Sequence, residues 1–196
     1  TSEKLLLATG IEDLLPDISG FEACWGDTIV HCPYCHGYEH RDRKTALFAP
    51  EEKAMHLAGL VQNLSPDLTL ITERLSPENA EKLQHHKIAV LHGTLAQVHH
   101  LNGKLHALEF TDGRRENFEV LYAALPFRPR TDIPEKLGCA YTPQGYVQVD
   151  PLQKTTVPGV YACGDLCNPM RSVANAVYTG NMAGAALNME LTLARF

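Results

Sequence analysis

No apolar run in this 196-residue sequence approaches the about 20 residues that a membrane-spanning helix needs, so no membrane partner is expected. Basic charge is also scarce. Seventeen Lys and Arg against 23 Asp and Glu leave a formal net charge of −6, and such a surface draws neither nucleic acid nor an anionic bilayer. Six cysteines are too few for a secreted disulfide scaffold of this length, which points to a cytoplasmic setting. The opening "TSEKLLLATG" has no basic leader and no small-residue cleavage site, so no secretory signal is expected. Internal repeats and low-complexity segments are likewise missing.

What is present is an ordinary globular composition, 44% hydrophobic and 20% charged, long enough to bury a core as one large domain or two small ones. "KLLLATG" (Lys4 to Gly10) reads as a buried strand delivering its end to a site. From Thr45 the pattern alternates: strand "TALFA", an amphipathic helix over "PEEKAMHLAGLVQNL", strand "LTLIT", helix "SPENAEKLQHH" capped by Ser76, and strand "KIAVLHG". That alternation predicts parallel βαβ units. "TLAQVHHL" and "KLHALEF" flank Asn102-Gly103 as a hairpin, and Asp112-Gly113 marks a further tight turn. "VLYAALPFRPRT" reads as a strand entering a Pro-rich crossing, a candidate domain boundary. "YVQVD" and "GVYACGD" read as short strands, and the segment from Ser172 to Phe196 as a closing helix rich in small residues.

Two stretches carry chemistry. In "HCPYCHGYEH", Cys32 and Cys35 have the spacing that lets one thiolate attack while the other resolves a mixed disulfide, and His36 can hold or shuttle a proton beside them. The cluster alone leaves a redox pair, a metal site and plain structural thiols open. Zinc needs four ligands, and neither a second CxxC nor a histidine pair at finger spacing follows. The second stretch, "GVYACGDLCNPMRSVANAVYTGNMAGAA", is a strand ending in Gly164-Asp165 before a helix with small residues on one face. This pattern suits either a backbone approaching a ligand or a close-packed core helix. His85, His86, His99 and His100 lie in polar surface segments as solvated residues. Cys163 and Cys167 could form a second thiol pair, although packing suits Cys163 better, and Trp25 is expected to pack near a domain hinge.

Taken in order, "ATG", "LPDISGFEACWG", "HCPYCHGYE", "GVYACGD" and "RSVANAVYTGNMAGAA" resemble the low-molecular-weight thioredoxin reductase family over most of the chain. "CPYCHGYE" is most similar to its small-molecule dithiol oxidase branch, the enzymes that form the disulfides of gliotoxin and holomycin. The resemblance implies an α/β architecture of two Rossmann-like domains, each three-layered with a mostly parallel sheet, the FAD domain being discontinuous and incomplete. It divides the chain into an FAD-domain remnant over 1–23, a nicotinamide-domain-like module over 24–122 carrying the CxxC, and the C-terminal part of the FAD domain over 123–196.

By the same resemblance Cys32 and Cys35 form the redox disulfide, Cys35 against the isoalloxazine, and His36 replaces the family's acidic proton donor. Thr9 and Gly10 match a strand end beside FAD. Gly164 and Asp165 match the turn that binds its ribityl and pyrophosphate, and Arg171, Ser172 and Val173 the helix start by the flavin. The implied protein is a homodimeric FAD-dependent oxidoreductase acting on a small dithiol or disulfide or a thioredoxin-like protein.

Two departures qualify this. The glycine turn that receives a nicotinamide dinucleotide is replaced by Ala49, Pro50, Glu51 and Glu52; Pro50 removes an N–H donor and two carboxylates repel phosphate. "LITERLSP" offers only Arg74 for a 2′-phosphate. Weak or no NADPH binding follows, so the flavin would be reduced by thiols and reoxidised by an acceptor such as oxygen. The first FAD-binding half, with its own glycine motif, precedes the "ATG" strand in the family and lies outside this sequence. The alternatives are an NADPH-dependent reductase of thioredoxin or a small disulfide, and a zinc-binding or scaffolding module using His31, His36 and His40 around the thiols.

Overall fold

A computed structural model describes residues 2–196, which divide into two compact units. One is Leu15–Pro126. The other joins the residues up to Leu14 to Phe127–Phe196. The divisions thus fall at 14/15 and 126/127, nine and four residues from the 23/24 and 122/123 expected.

In the continuous unit, α1 (Phe21–Cys24) precedes β3 (Ile29–Val30), and α2 (Pro33–His36) carries the CxxC. The alternation then runs β4 (Thr45–Phe48), α3 (Glu51–Gln62), β5 (Leu68–Thr72), α4 (Pro77–His85) and β6 (Ala89–His92), as the periodicity expects. β7 (Leu95–Leu101), β8 (Lys104–Phe110) and β9 (Arg115–Asn117) form an antiparallel sheet, and β10 (Val120–Ala123) returns to the first. That main sheet has order β3-β10-β4-β5-β6 with every pairing parallel.

Buried strand residues alternate between its two faces. Ile29, Ala46, Ile71 and Leu121 join one core with Phe21 of α1 and with Val98, Leu105, Leu108 and Phe110 of the antiparallel sheet. Val30, Leu47, Leu70, Val120 and Tyr122 join another with Ala54, Ala58 and Val61 of α3 and Leu83 of α4. Because both faces are covered, β4, β5 and β10 read as nearly continuous apolar runs. The three-layer α/β arrangement expected for this module is what forms.

The other unit contains β1 (Leu5–Leu7), β2 (Ile11–Asp13), β11 (Phe127–Pro129), α5 (Ile133–Lys136), β12 (Val160–Ala162) and the 23-residue α6 (Val173–Arg195). β1 pairs parallel with β12, and β2 pairs antiparallel with β11. The Pro-rich crossing is therefore partly a strand. "YVQVD", in contrast, makes only single bridges at Val147 and Val149. Val147 N–H donates to Leu166 O and Gln148 N–H to Ala140 O, so no one neighbour carries a continuous ladder. Leu7, Cys139, Val147, Val160, Ala162 and Leu166 form its core. Glu190 of α6 accepts from Lys4 Nζ (2.5 Å), Lys154 Nζ (2.9 Å) and Tyr161 Oη (2.8 Å), fastening the helix to β1 and β12.

Candidate functional site

Cys32 is extended (φ −119°) and caps α2, with Pro33 at the first helical position, where its missing N–H is no loss. One helical turn then brings Cys35 back to Cys32. The two form a disulfide with a Cα–Cα distance of 5.3 Å. The backbone N–H of Cys35 points at Cys32 Sγ, 3.1 Å away, and would favour the Cys32 thiolate once the bond opens. Cys35 is the more exposed of the pair. Tyr34 and Tyr38 stand out into solvent around it, the Tyr38 ring lying under the Arg41 guanidinium at 4.0 Å.

His36 ends α2 beside this disulfide. Its Nδ1 is buried and, among the described residues, has no hydrogen-bond partner. A ring nitrogen in that condition, one residue from a reactive sulfur, is equipped to take up or release a proton. The helix exit is tightly packed: a Cβ on Gly37 would come within 2.1 Å of Pro33 O and 2.3 Å of Leu64 Cδ1. Only glycine fits there. Among the described residues no group of three or more His, Cys, Asp or Glu side chains is placed to share a metal ion.

At the carboxyl ends of β4 and β5, where a doubly wound sheet receives ligands, the chain closes on itself. Glu51 opens α3 after Pro50, and its Oε1 accepts from Ser76 N–H (2.9 Å), Ser76 Oγ–H (2.6 Å) and Asn79 Nδ2 (2.6 Å) at the start of α4. Those bonds, the Ser76 hydroxyl foremost, hold the Glu51 carboxyl below the usual range. An anion already built into the chain thus takes donors at the head of the second helix, beside Glu52 in the first turn of α3. The residues do not fit a nicotinamide dinucleotide.

In the other unit β12 runs through Cys163 into a 3-10 turn, Gly164–Leu166. Gly164 has φ +72° and donates its N–H to Thr179 Oγ1 (3.0 Å), which in turn donates to Asn175 O (2.8 Å), so α6 is pinned against the turn. Asp165 is half-buried in that turn. Ser172 caps α6 by accepting from Asn175 N–H (3.2 Å), so its hydroxyl is engaged, while Val173 is exposed. Asn175 Nδ2, in the first turn, is buried and has no hydrogen-bond partner among the described residues. Arg171 pairs with Asp13 Oδ1 at 2.9 Å and stacks 4.5 Å from the Phe127 ring centroid, joining β2 and β11 to the approach to α6. Gly10, at φ +67°, turns the chain from β1 to β2 with Thr9 exposed before it.

Thus the sequence-derived residues form two groups: Cys32, Cys35 and His36 in one unit; Thr9, Gly10, Gly164, Asp165, Arg171, Ser172 and Val173 in the other. Sequence reasoning missed Asn175 and the Glu51–Ser76 contact. A hydrophilic residue inside the small-residue stretch was the available signal for the first. For the second, Glu51 and Ser76 are 25 residues apart and nothing in their local pattern pairs them.

A family profile described as pyridine nucleotide-disulphide oxidoreductase matches residues 1–180. The chain is 34% identical over 199 residues to thioredoxin reductase tcpT of Claviceps purpurea (strain 20.1), covering 96% of this chain and 62% of that protein. It is 31% identical over 215 residues to thioredoxin reductase sirT of Leptosphaeria maculans, covering 95% and 62%. The fold superposes on the crystal structure of the thioredoxin reductase TrxB from Bacillus anthracis with a TM-score of 0.92 at 29% identity, over 99% of this chain and 66% of that one. For the HlmI crystal structure the values are 0.88 and 29%, over 96% and 60%. The chain therefore spans under two thirds of the length of the curated relatives named here. By profile, sequence and fold together, it belongs to the pyridine nucleotide-disulphide oxidoreductase family and is thioredoxin reductase-like.

Proposed function

We propose that the protein is an FAD-dependent thiol–disulfide oxidoreductase working in the dithiol-oxidising direction, on a small dithiol. The observation that carries the direction is the Glu51 carboxylate bound to Ser76 and Asn79 where a nicotinamide dinucleotide would need free donors. With that entry closed, electrons enter from thiols.

One thiolate of the substrate attacks the Cys32–Cys35 disulfide and a mixed disulfide forms. The second substrate thiol then attacks the substrate sulfur of that mixed disulfide. Substrate leaves as a disulfide and the protein keeps two thiols, having gained two electrons and two protons. His36 accepts a proton from an incoming thiol and returns it to a leaving sulfur. The Cys35 N–H favours the Cys32 thiolate during the exchange, and exposed Tyr34 and Tyr38 give substrate an aromatic surface beside the sulfurs. FAD, when bound, supplies the two-electron acceptor that returns the pair to its disulfide. The Gly164-Asp165 turn and the amide of Asn175, which has no partner among the described residues, would hold it, offering a donor to its acceptor oxygens.

Anaerobic incubation of the purified protein with dithiothreitol, followed by thiol counting, tests the exchange. Two thiols gained per chain at Cys32 and Cys35, and none in Cys35→Ser beyond its own unpaired thiol, are expected; an unreactive pair in the wild type would refute it.

A further inference from the structure

His40 lies four residues beyond His36 and is only 7% exposed. Both of its ring nitrogens are engaged. Nε2 is 2.8 Å from the backbone oxygen of Asp27, and Nδ1 is 3.3 Å from Arg43 Nη1. A carbonyl only accepts and a guanidinium only donates, so a single protonation state satisfies both contacts: neutral imidazole with its hydrogen on Nε2. A second proton, on Nδ1, would face the Arg43 N–H. Burial is the main cause holding His40 below the usual histidine range; the Asp27 carbonyl and carboxylate oppose it, while Arg43 and His36 reinforce it.

The same residue ties down the peptide that leaves the CxxC turn. Its carbonyl accepts from Ser65 Oγ–H (3.3 Å) just beyond α3, and two residues on, Asp42 N–H donates to Leu64 O (2.9 Å). Gly37, at the start of this peptide, is the residue pressed against Leu64. On its other side the Asp27 carbonyl belongs to the turn entering β3, which leads directly to Cys32. His40 therefore joins the segments before and after the disulfide to each other and to the end of α3.

Resting on the reading of Cys32–Cys35 as a redox couple, we propose that His40 is a positioning residue for that couple. Held uncharged, it fixes the entry and exit of the CxxC turn and adds no like charge beside the His36 ring, leaving His36 to carry the proton of thiol exchange.

The test is the pH profile of iodoacetamide alkylation at Cys32 and Cys35. Purified protein is reduced, freed of reductant and followed by mass spectrometry from about pH 5 to about pH 9. His40→Gln keeps one donor and one acceptor and is expected to retain the wild-type profile. His40→Phe keeps the bulk, loses both contacts and is expected to change the neutral-pH rate several-fold and move the midpoint by about half a pH unit or more. Should His40→Phe not fold, Arg43→Met decides: it removes the Nδ1 contact and one of the charges that oppose protonation of His40, and is expected to alter the profile below about pH 6.5. A wild-type profile in folded His40→Phe, or in Arg43→Met when the former does not fold, overturns the proposal. A wild-type protein whose cysteines stay unreactive after reduction overturns the redox reading itself.

Discussion

The carboxylate of Glu51 accepts hydrogen bonds from both the backbone N–H and the hydroxyl of Ser76, at 2.9 and 2.6 Å. A side chain in the first turn of α3 thus occupies the donors that open α4. NADPH titrated into the protein, followed by calorimetry, is expected to give no saturable heat up to millimolar concentration. Glu51→Gln weakens the tie but leaves Ala49 and Pro50 in place, so it is expected to lower the thermal midpoint by a few degrees without creating tight binding.

Glu190 is fastened by Lys4, Lys154 and Tyr161, which together bring its pKa down to about 2. A carboxyl depressed in the folded state binds protons more readily when unfolded. Its contribution is therefore complete above the ordinary value of 4.5 and disappears as pH falls from there towards about 2. Urea midpoints of wild type and Glu190→Gln should differ at neutral pH and converge across that window.

Burial raises the Cys24 and Cys163 thiols, and burial with Cys163 and Cys139 nearby pushes Cys167 up to about 12. These are poor nucleophiles at neutral pH. Native protein reduced with dithiothreitol and treated briefly with iodoacetamide should carry label at Cys32 and Cys35, with Cys24, Cys163 and Cys167 labelled only after unfolding. Early label on Cys167 would count against this.

Gly37→Ala places a methyl group against Pro33 O and Leu64 Cδ1. Relief requires moving α2 off the end of α3, at about 1–3 kcal/mol. Chemical denaturation should show that loss, accompanied by slower exchange of the Cys32–Cys35 disulfide with dithiothreitol.

The parallel sheet was legible because buried strands such as "TALF" and "LTLIT" are apolar on both faces and alternate with a helical period in "EEKAMHLAGLVQ". Ser76 announced α4, and its hydroxyl does accept from Asn79 N–H at 3.4 Å. The β2–β11 ribbon was not legible. Each strand has three residues, too few for a period, and their partners are more than a hundred residues apart in the chain. β9, also three residues long, was missed for the same reason of length.

At the site, the spacing of Cys32 and Cys35 left a redox pair, a metal site and plain structural thiols open; the family resemblance implied their disulfide, and one turn of α2 closes it. The role of His40 could not. In sequence it stood with His31 and His36 as a third histidine near two thiols, a pattern that also suits a metal. Its use of both ring nitrogens depends on Asp27 and Arg43 folding onto it, which no local pattern records. Likewise "APEEKA" showed that glycines were missing, whereas the closing of the crest required Ser76 and Asn79 to be brought to Glu51 in space.

The central claim is that electrons enter through thiols and not through NADPH. Stopped-flow mixing of flavin-loaded protein, without oxygen, with either dithiothreitol or NADPH tests it most directly. Rapid bleaching of the flavin band by the dithiol, abolished in Cys35→Ser, with no bleaching by NADPH, is the expected result; rapid bleaching by NADPH would contradict it.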